Sequence, residues 1–290
     1  MKLEIRGKLR LFQSEIEVYD GPVKPFLRWA GGKIWLSKRL TQIFGTLQFE
    51  RYHEPFLGGG SIFFSLPASK KSYLSDANHV LIETYNCLKE DPGKIIQHLK
   101  EFSNDEKSYY QIRQLTFDNS YARSAQFIYL NQTSYNGIYR VNLKGVYNVP
   151  YGHRTKNFLE EDVLYAASAA LQNSIIFSGD FDNSKDNIKK GDLVFIDPPY
   201  TVSHNKNGFI KYNKSLFSLE DQHRLASYVE HIKGIGAKYI LTNAAHSTIR
   251  EIFTKGDQVF EVERASLIGG KRAKRGQTSE LIFTNLEANL

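Results

Sequence analysis

Short apolar runs alternate with helical patterns along the chain, and this alternation predicts an α/β fold built on a mainly parallel sheet. Two further apolar runs near the carboxyl end, QVFEVERAS (residues 258–266) and ELIFTN (280–285), predict a pair of strands joined by a basic loop that contains glycine. A hairpin at the end of a parallel sheet is informative, because most doubly wound folds lack one. Five runs predict buried strands that each lead into a turn or helix: YHEPF (52–56), SYLSD (72–76), SIIFSGD (174–180), LVFID (193–197) and AKYILTN (237–243).

Helix boundaries can be read from residues that start or stop helices. HVLIETYNCLKED (79–91) predicts a helix stopped by Pro92. Ser218, followed by two acidic residues, predicts the start of another helix, and Gly234 predicts its end. We expect both helices to pack beside the sheet.

Residues 90–172 differ from the rest of the chain. They are mainly helical in pattern but are interrupted by YNGIYRVNLKGVYNVPYG (135–152), where aromatic and β-branched residues alternate around Lys144-Gly145. We interpret residues 90–172 as an inserted domain that carries a β-hairpin. The main domain then comprises residues 25–89 and 173–290, and residues 1–24 form an extension to which no role is assigned.

Charge favours an anionic partner. The 290-residue chain has a formal net charge of +7 and a pI of about 9.2. Residues 135–156 and 267–276 are both basic and free of acids, which is typical of a surface that binds a polyanion, although solvated loops show the same pattern. The basic residues are Arg140, Lys144, Arg154 and Lys156 in the first segment, and Lys271, Arg272, Lys274 and Arg275 in the second.

Several classes of protein are disfavoured. Cys87 is the only cysteine, so a disulfide within the chain and a thiolate-rich metal site are excluded, and the eight histidines form no cluster with ligand spacing. We therefore expect no metal. The chain has no apolar run of about 18 residues and begins without the apolar centre of a secretory signal. These features predict a cytoplasmic protein with no membrane association.

Three predicted strand ends suit a ligand that contains adenosine. EPFLGGGS (54–61) is a glycine turn after a strand, but no Gly-Lys-Ser/Thr follows, so it is not a P-loop. Asp76 lies about 20 residues further on, the spacing of an acid that binds ribose hydroxyls; a helix cap is its alternative role. Asp180 and Phe181 end the next strand and suit an adenine amino group and ring.

LVFIDPPYTVS (193–203) ends a buried strand on a carboxylate, because neither proline has an amide to donate. An amino group conjugated with an aromatic ring is a poor nucleophile. Asp197 and the carbonyl of Pro198 can each accept one of its hydrogens and so free the nitrogen lone pair for attack. Tyr200 can stack on the base, which must leave a duplex to reach such a pocket.

These motifs, together with FLRWAGGK (26–33) and YNGIYRVNLKGVYNVPYG, resemble DNA adenine N6-methyltransferases of the Dam type, which belong to the D12 class, in the alpha arrangement. The resemblance runs from about residue 26 to residue 285. It implies a Rossmann-like class I methyltransferase sheet with a carboxy-terminal antiparallel hairpin, and an insert that recognises the target. It also implies S-adenosylmethionine as cofactor, double-stranded DNA as partner, and a monomer.

The resemblance assigns roles residue by residue. It implies direct methyl transfer to a flipped adenine, with no covalent enzyme intermediate, and GATC as the preferred target. The catalytic positions are Asp197, Pro198 and Tyr200, and the cofactor positions are Trp29, Lys33, Phe56, Gly58, Gly60, Asp76, Asp180, Phe181 and Asp197. For DNA, Tyr135 matches a residue that inserts into the stack, Asn136, Ile138, Arg140 and Pro150 match hairpin readers, and Arg28 matches an outer guanine contact. Lys271, Arg272, Lys274 and Arg275 are expected to bind phosphate.

Three alternatives stay open at this point. An Asp-Pro-Pro-Tyr site also serves cytosine N4 methylation or methylation of adenine in RNA. A DNA-binding homologue without catalytic activity is the third. Pairing with a restriction endonuclease, regulation of a genome and a phage role are equally compatible with the sequence.

Overall fold

The structure is a computed structural model that describes residues 22–44, 47–66, 70–142, 145–200, 217–265 and 277–287. Some predictions fall elsewhere in the chain. The four basic residues Lys271, Arg272, Lys274 and Arg275, Lys144 of the predicted turn, and nearly all of residues 1–24 lie outside the described residues.

Within the described part of the chain, seven strands form one sheet in the order β3-β2-β1-β4-β5-β7-β6. Strands β1 to β5 are parallel, while β7 runs antiparallel to both of its neighbours. This arrangement confirms the predicted α/β sheet with a carboxy-terminal hairpin. The strands are β1 (Tyr52–Glu54), β2 (Ser72–Asp76), β3 (Ser174–Ser178), β4 (Leu193–Ile196), β5 (Lys238–Ala244), β6 (Gln258–Ala265) and β7 (Gln277–Thr284).

Helices cover both faces of the sheet and make up much of residues 90–172. Short polar side chains start many of them; for example, Asn78 accepts a hydrogen bond from the Leu81 amide at the start of α2. Among the described residues no helix is both long and apolar enough to span a bilayer. The helices are α1 (Ile34–Phe44), α2 (His79–Glu90), α3 (Pro92–Lys100), α4 (Glu106–Gln114), α5 (Ser120–Thr133), α6 (Glu161–Leu171), α7 (Leu219–Ile235) and α8 (Ser247–Phe253).

The core lies on both faces of the sheet, which explains why the central strand β4 is apolar throughout. Leu193 and Phe195 point to one side and join a cluster with residues of α1 to α6. Val194 and Ile196 point to the other side and join residues of α7 and α8. The helices of residues 90–172 therefore pack in the same apolar cluster as α2, and their division into a separate domain stays a prediction.

The predicted hairpin of residues 135–152 is held by backbone contacts between its two sides. Within its described residues, antiparallel bridges pair Val141 with Tyr147 and Ser134 with Tyr151. The Gly145 amide donates to the Asn142 carbonyl at 2.9 Å, and Gly145 has a φ of 76°. This positive φ is the conformation for which glycine suits the turn.

Helix α7 ends two residues beyond its predicted stop. Ser218 caps its start as expected, in a reciprocal pair with Asp221. The helix continues through Gly234 to Ile235, and Gly236 caps it with a φ of 80°. The Ala237 amide then donates a hydrogen bond to the Ile232 carbonyl at 3.1 Å. The prediction of Gly234 was wrong because the left-handed residue of the cap, not the first glycine encountered, ends the helix.

Substitution of each of the two glycines by alanine should change the free energy of unfolding in opposite directions. Gly236→Ala should lower the free energy of unfolding by roughly 1 kcal/mol, because a side chain is disfavoured at positive φ. Gly234→Ala should raise it by roughly 0.5 to 1 kcal/mol, because a Cβ there meets nothing within 4 Å and alanine favours the helix. Urea denaturation of both variants measures the difference; equal effects would contradict this description of the cap.

Candidate active site

The order of the strands brings the predicted site residues to one edge of the sheet. Strand β1 lies between β2 and β4, and all three are parallel, so their carboxyl ends are neighbours. The glycine turn follows β1, Asp76 ends β2, and Asp197 follows β4. This edge is where open α/β sheets bind ligands.

The glycine turn is shaped by close contact with Trp29. Gly58 and Gly60 have φ values of 47° and 64°, which favour glycine. A Cβ at Gly58 would lie 2.7 Å from the Trp29 Nε1 atom, and one at Gly59 would lie 2.6 Å from the Trp29 Cβ. Trp29 therefore packs directly on the turn, and larger residues would displace it.

Asp76 holds this turn to the start of α2. Its Oδ2 accepts a hydrogen bond from the Gly58 amide and its Oδ1 accepts one from the Asn78 amide, both at 2.9 Å. Burial raises the pKa of Asp76, and these backbone hydrogen bonds oppose the rise. The residue that caps α2 is Asn78, so the cap alternative does not account for Asp76.

The predicted adenine contacts separate into a buried ring and an exposed acid. The Phe181 ring is buried and stacks on Phe56, with ring centroids 5.4 Å apart. The carboxylate of Asp180 lies at the surface, where it pairs with Arg224 at 2.8 Å. Arg224 also lies over the Phe181 ring, 4.9 Å from its centroid. One arginine therefore contacts both predicted residues.

Lys33 lies beside the predicted catalytic acid. Its Nζ is 2.9 Å from Asp197 Oδ1 and donates to the Gly31 carbonyl at 3.0 Å. The ammonium also lies 3.7 Å from Glu280 Oε2 and 5.0 Å from the centroid of the Tyr200 ring. Lys33 was predicted as a cofactor contact; in the structure it links the segment before α1 to the residues that follow β4.

Asp197 presents two different carboxylate oxygens. Oδ1 accepts hydrogen bonds from Lys33 and, at 2.7 Å, from the Thr242 hydroxyl, whereas Oδ2 has no hydrogen-bond donor among the described residues. Burial raises the pKa of Asp197; Lys33 and Thr242 lower it, and Glu280 raises it. The side chain is 19% exposed, so a ligand can reach it.

The predicted DNA-reading residues surround a short 3-10 turn, Tyr135–Gly137. The Tyr135 side chain is 49% exposed, and its amide donates to the Pro150 carbonyl at 2.9 Å. Asn136 is exposed with a φ of 55°, an uncommon conformation outside glycine that asparagine tolerates. Arg140 is exposed, and its Nε donates to the Asn148 Oδ1 at 2.7 Å. Ile138 is partly buried in the same segment.

The Arg28 side chain donates hydrogen bonds to the backbone immediately before this turn. Its Nη1 donates to the carbonyl oxygens of Gln132 and Ser134 at 3.2 and 3.1 Å. Burial lowers the pKa of Arg28, and Arg154 lowers it further. The backbone amide and carbonyl of Arg28 both bond to the buried Asn131 side chain, which also donates to the Gly137 carbonyl. The predicted guanine contact of Arg28 stays a prediction.

Sequence reasoning missed four buried residues of this region. Thr242 and Glu280 contact the Asp197 and Lys33 pair, Asn131 joins Arg28 to the turn, and Glu54 ends β1. The only available signal was a polar residue within or beside an apolar run, such as Glu280 at the start of ELIFTN. That signal does not identify a partner.

Comparisons with known proteins agree with this arrangement. A family model described as D12 class N6 adenine-specific DNA methyltransferase matches residues 29–267. The chain is 36% identical over 278 residues to the type II methyltransferase M.MjaIII of Methanocaldococcus jannaschii, covering 87% of this chain and 95% of that protein. It is 31% identical over 274 residues to the type II methyltransferase M1.LlaDCHI of Lactococcus lactis subsp. cremoris, covering 91% and 95%. It is also 32% identical over 260 residues to the DNA adenine methylase of Escherichia coli, covering 87% and 92%.

Glu54 is a buried acid next to the glycine turn. It is 3% exposed, and its Oε2 accepts hydrogen bonds from the Tyr52 hydroxyl at 2.8 Å and the Phe63 amide at 3.2 Å. Burial raises its pKa from 4.5 to about 8, although the bond from Tyr52 lowers it. Because the folded state binds this proton more tightly than the unfolded state, stability must fall as the pH rises between these two values.

Glu54→Gln should remove this pH dependence. From pH 5 to 8 the variant should gain stability relative to the parent, by up to about 1.4 kcal/mol per pH unit, and the difference should level off above about pH 8. Urea unfolding of both proteins at several pH values measures it. Parallel stability curves across this range would show that Glu54 does not carry a raised pKa.

Proposed function

The chain belongs to the D12 class of N6 adenine-specific DNA methyltransferases, and on this basis we propose that it methylates adenine N6 in double-stranded DNA with S-adenosylmethionine. GATC is the preferred target. Family membership supports adenine in DNA over the cytosine and RNA alternatives.

The observation that carries the mechanism is Asp197 at the end of β4, with one oxygen fixed and the other facing no described donor. Oδ2 accepts one hydrogen of the adenine amino group, and the Pro198 carbonyl accepts the other. These hydrogen bonds localise the lone pair on adenine N6, so that this nitrogen attacks the methyl group of S-adenosylmethionine directly. Tyr200, whose ring lies beside Lys33, stacks on the base after it leaves the duplex.

The residues at the sheet edge fit the proposed cofactor. When bound, S-adenosylmethionine supplies a methyl group on a positively charged sulfur. The glycine turn packs on Trp29 at the edge of the sheet where ligands bind, and the acids Asp76 and Asp197 complement ribose hydroxyls and a cation. Asp76, Gly58 and Gly60 would hold the ribose side. Trp29, Lys33, Phe56, Asp180 and Phe181 complete the proposed set.

DNA recognition is assigned to the turn and hairpin of the insert. Tyr135 is exposed at the turn and is suited to fill the space left by a flipped base. Arg140 is exposed on the hairpin, where a guanidinium can bind guanine in the major groove through two hydrogen bonds. Asn136, Ile138, Pro150 and Arg28 border the same surface.

The biological setting is proposed more broadly. The type II methyltransferase names of two relatives favour pairing with a restriction endonuclease. We expect a monomer that acts on DNA in the cytoplasm of a prokaryotic cell or a phage-infected host.

The first experiment incubates the purified protein with S-adenosylmethionine and unmethylated genomic DNA and maps N6-methyladenine by sequencing. Methylation confined to GATC supports the reaction and the target together. Methyladenine in another motif overturns the target alone. The absence of methyladenine would favour cytosine in DNA or adenine in RNA as the substrate, and S-adenosylmethionine binding without methyl transfer to any DNA would favour the inactive homologue.

Asp197→Ala should lower turnover by at least 100-fold, because the acceptor for the amino group is lost. Binding of unmethylated GATC duplex, measured by fluorescence anisotropy, should stay near the parental affinity. Asp197→Asn is the matched control for shape, since it keeps the side-chain volume but loses the charge, and it should be similarly impaired. Ordinary turnover in either variant would refute the role of Asp197.

Arg140→Ala should reduce discrimination at one guanine of the target by about 1 to 3 kcal/mol. The measurement compares kcat/KM on GATC duplexes with duplexes that carry one substituted base. Lys107→Ala, at an exposed basic residue of α4, is the control for a general loss of positive charge. Equal losses on all duplexes would instead indicate that Arg140 contacts phosphate.

A further inference from the structure

Three charged side chains from distant parts of the sequence lie close together at the candidate active site. Lys33 comes from the segment before α1, Asp197 follows β4, and Glu280 lies on β7. The Lys33 and Glu280 side chains are 4% and 0% exposed. The Lys33 ammonium is 2.9 Å from Asp197 and 3.7 Å from Glu280, so the first contact is a hydrogen-bonded ion pair and the second is purely ionic.

Of the three charged residues, Glu280 is the one that lies within a strand of the sheet. Its strand lies between β5 and β6, and Glu280 is in register with Ala244 on one side and Val262 on the other. A carboxylate at such a position is costly unless a cation lies nearby. Thr242 on the adjacent strand β5 bonds to Asp197 Oδ1. Both strands therefore place a polar group under the catalytic acid.

We propose that Glu280 is a positioning residue for methyl transfer: it draws Lys33 toward β7, so that the ammonium stays at Oδ1 of Asp197, which Thr242 also binds, and leaves Oδ2 for the adenine amino group. This inference rests on the proposed role of Asp197. Without Glu280, no second carboxylate would balance the attraction between Lys33 and Asp197. The ammonium could then bridge both oxygens and compete with the substrate.

The same arrangement sets the charge of the site. One ammonium and two carboxylates have a formal charge of −1, which is complementary to a sulfonium group. Transfer of the methyl group converts the sulfonium into a neutral thioether. The negative charge therefore attracts S-adenosylmethionine but not the demethylated cofactor. Glu280 thus contributes to cofactor affinity as well as to the orientation of Lys33.

A pH effect accompanies this role. The charged and titratable groups around Asp197 are Lys33, Glu280 and Glu54, and the Tyr200 hydroxyl belongs to the same site. Glu280 raises the pKa of Asp197, whereas Lys33 lowers it. Loss of the Glu280 charge therefore moves the acid limb of the activity profile to lower pH. A side chain that only filled space would leave that limb unchanged.

The test compares the parent with Glu280→Gln, which keeps the size of the side chain and removes its charge. We expect the single-turnover rate on a GATC duplex to fall about tenfold, KM for S-adenosylmethionine to rise, and the acid limb to move to lower pH. Glu261→Gln is the matched control, because Glu261 is an exposed acid on β6 paired with Arg250. It should match the parent in all three measurements.

A parental rate and an unshifted acid limb in folded Glu280→Gln would overturn the inference. If thermal melting shows that this variant does not fold, Glu280→Asp provides the test, because it keeps the charge but moves it away from Lys33. It should turn over more slowly with the acid limb at the parental pH, and a parental rate would again overturn the inference. An inactive parent would instead refute the proposed function.

Discussion

The candidate active site depends on one buried ammonium group. Lys33 is almost fully removed from water, and the loss of hydration is compensated by Asp197, Glu280 and the Gly31 carbonyl. Removing one partner of a buried ion pair costs about 3 to 5 kcal/mol, because the remaining charge is left without compensation. The segment before α1, the end of β4 and strand β7 must therefore occupy fixed relative positions.

The segment that contains Lys33 also contacts the residues around the turn at Tyr135–Gly137. Trp29 packs on the glycine turn and stacks on Tyr139, with ring centroids 6.0 Å apart. Arg28 is bonded through Asn131 to the turn that presents Tyr135. Residues 28–33 thus contact the glycine turn, Asp197 and the turn at Tyr135–Gly137, so one short segment holds both the edge of the sheet and this turn.

The features of the fold and of the candidate site that were predictable from the sequence are local ones. An apolar run followed by Asp197 and two prolines identifies both a strand and its end. The glycines and Asp76 predict that a ligand binds at the same edge of the sheet. The pairings of Lys33 with Asp197 and of Arg28 with Asn131 were not predictable, because they join residues far apart in the chain. The error at Gly234 has a different, local cause. Which of Gly234 and Gly236 ends helix α7 depends on which one adopts the left-handed conformation, and composition does not reveal this.

The position of β7 in the sheet has a consequence for biosynthesis. Among the strands of the described residues this one is last in chain order, yet it inserts between β5 and β6 and carries Glu280. On the ribosome, a chain that ends before β7 leaves an edge of β5 unpaired and Lys33 with only one carboxylate partner. The contacts that join Lys33, Asp197 and Glu280 can therefore form only after β7 has emerged from the exit tunnel, so a nascent chain that lacks β7 has an incomplete charge cluster.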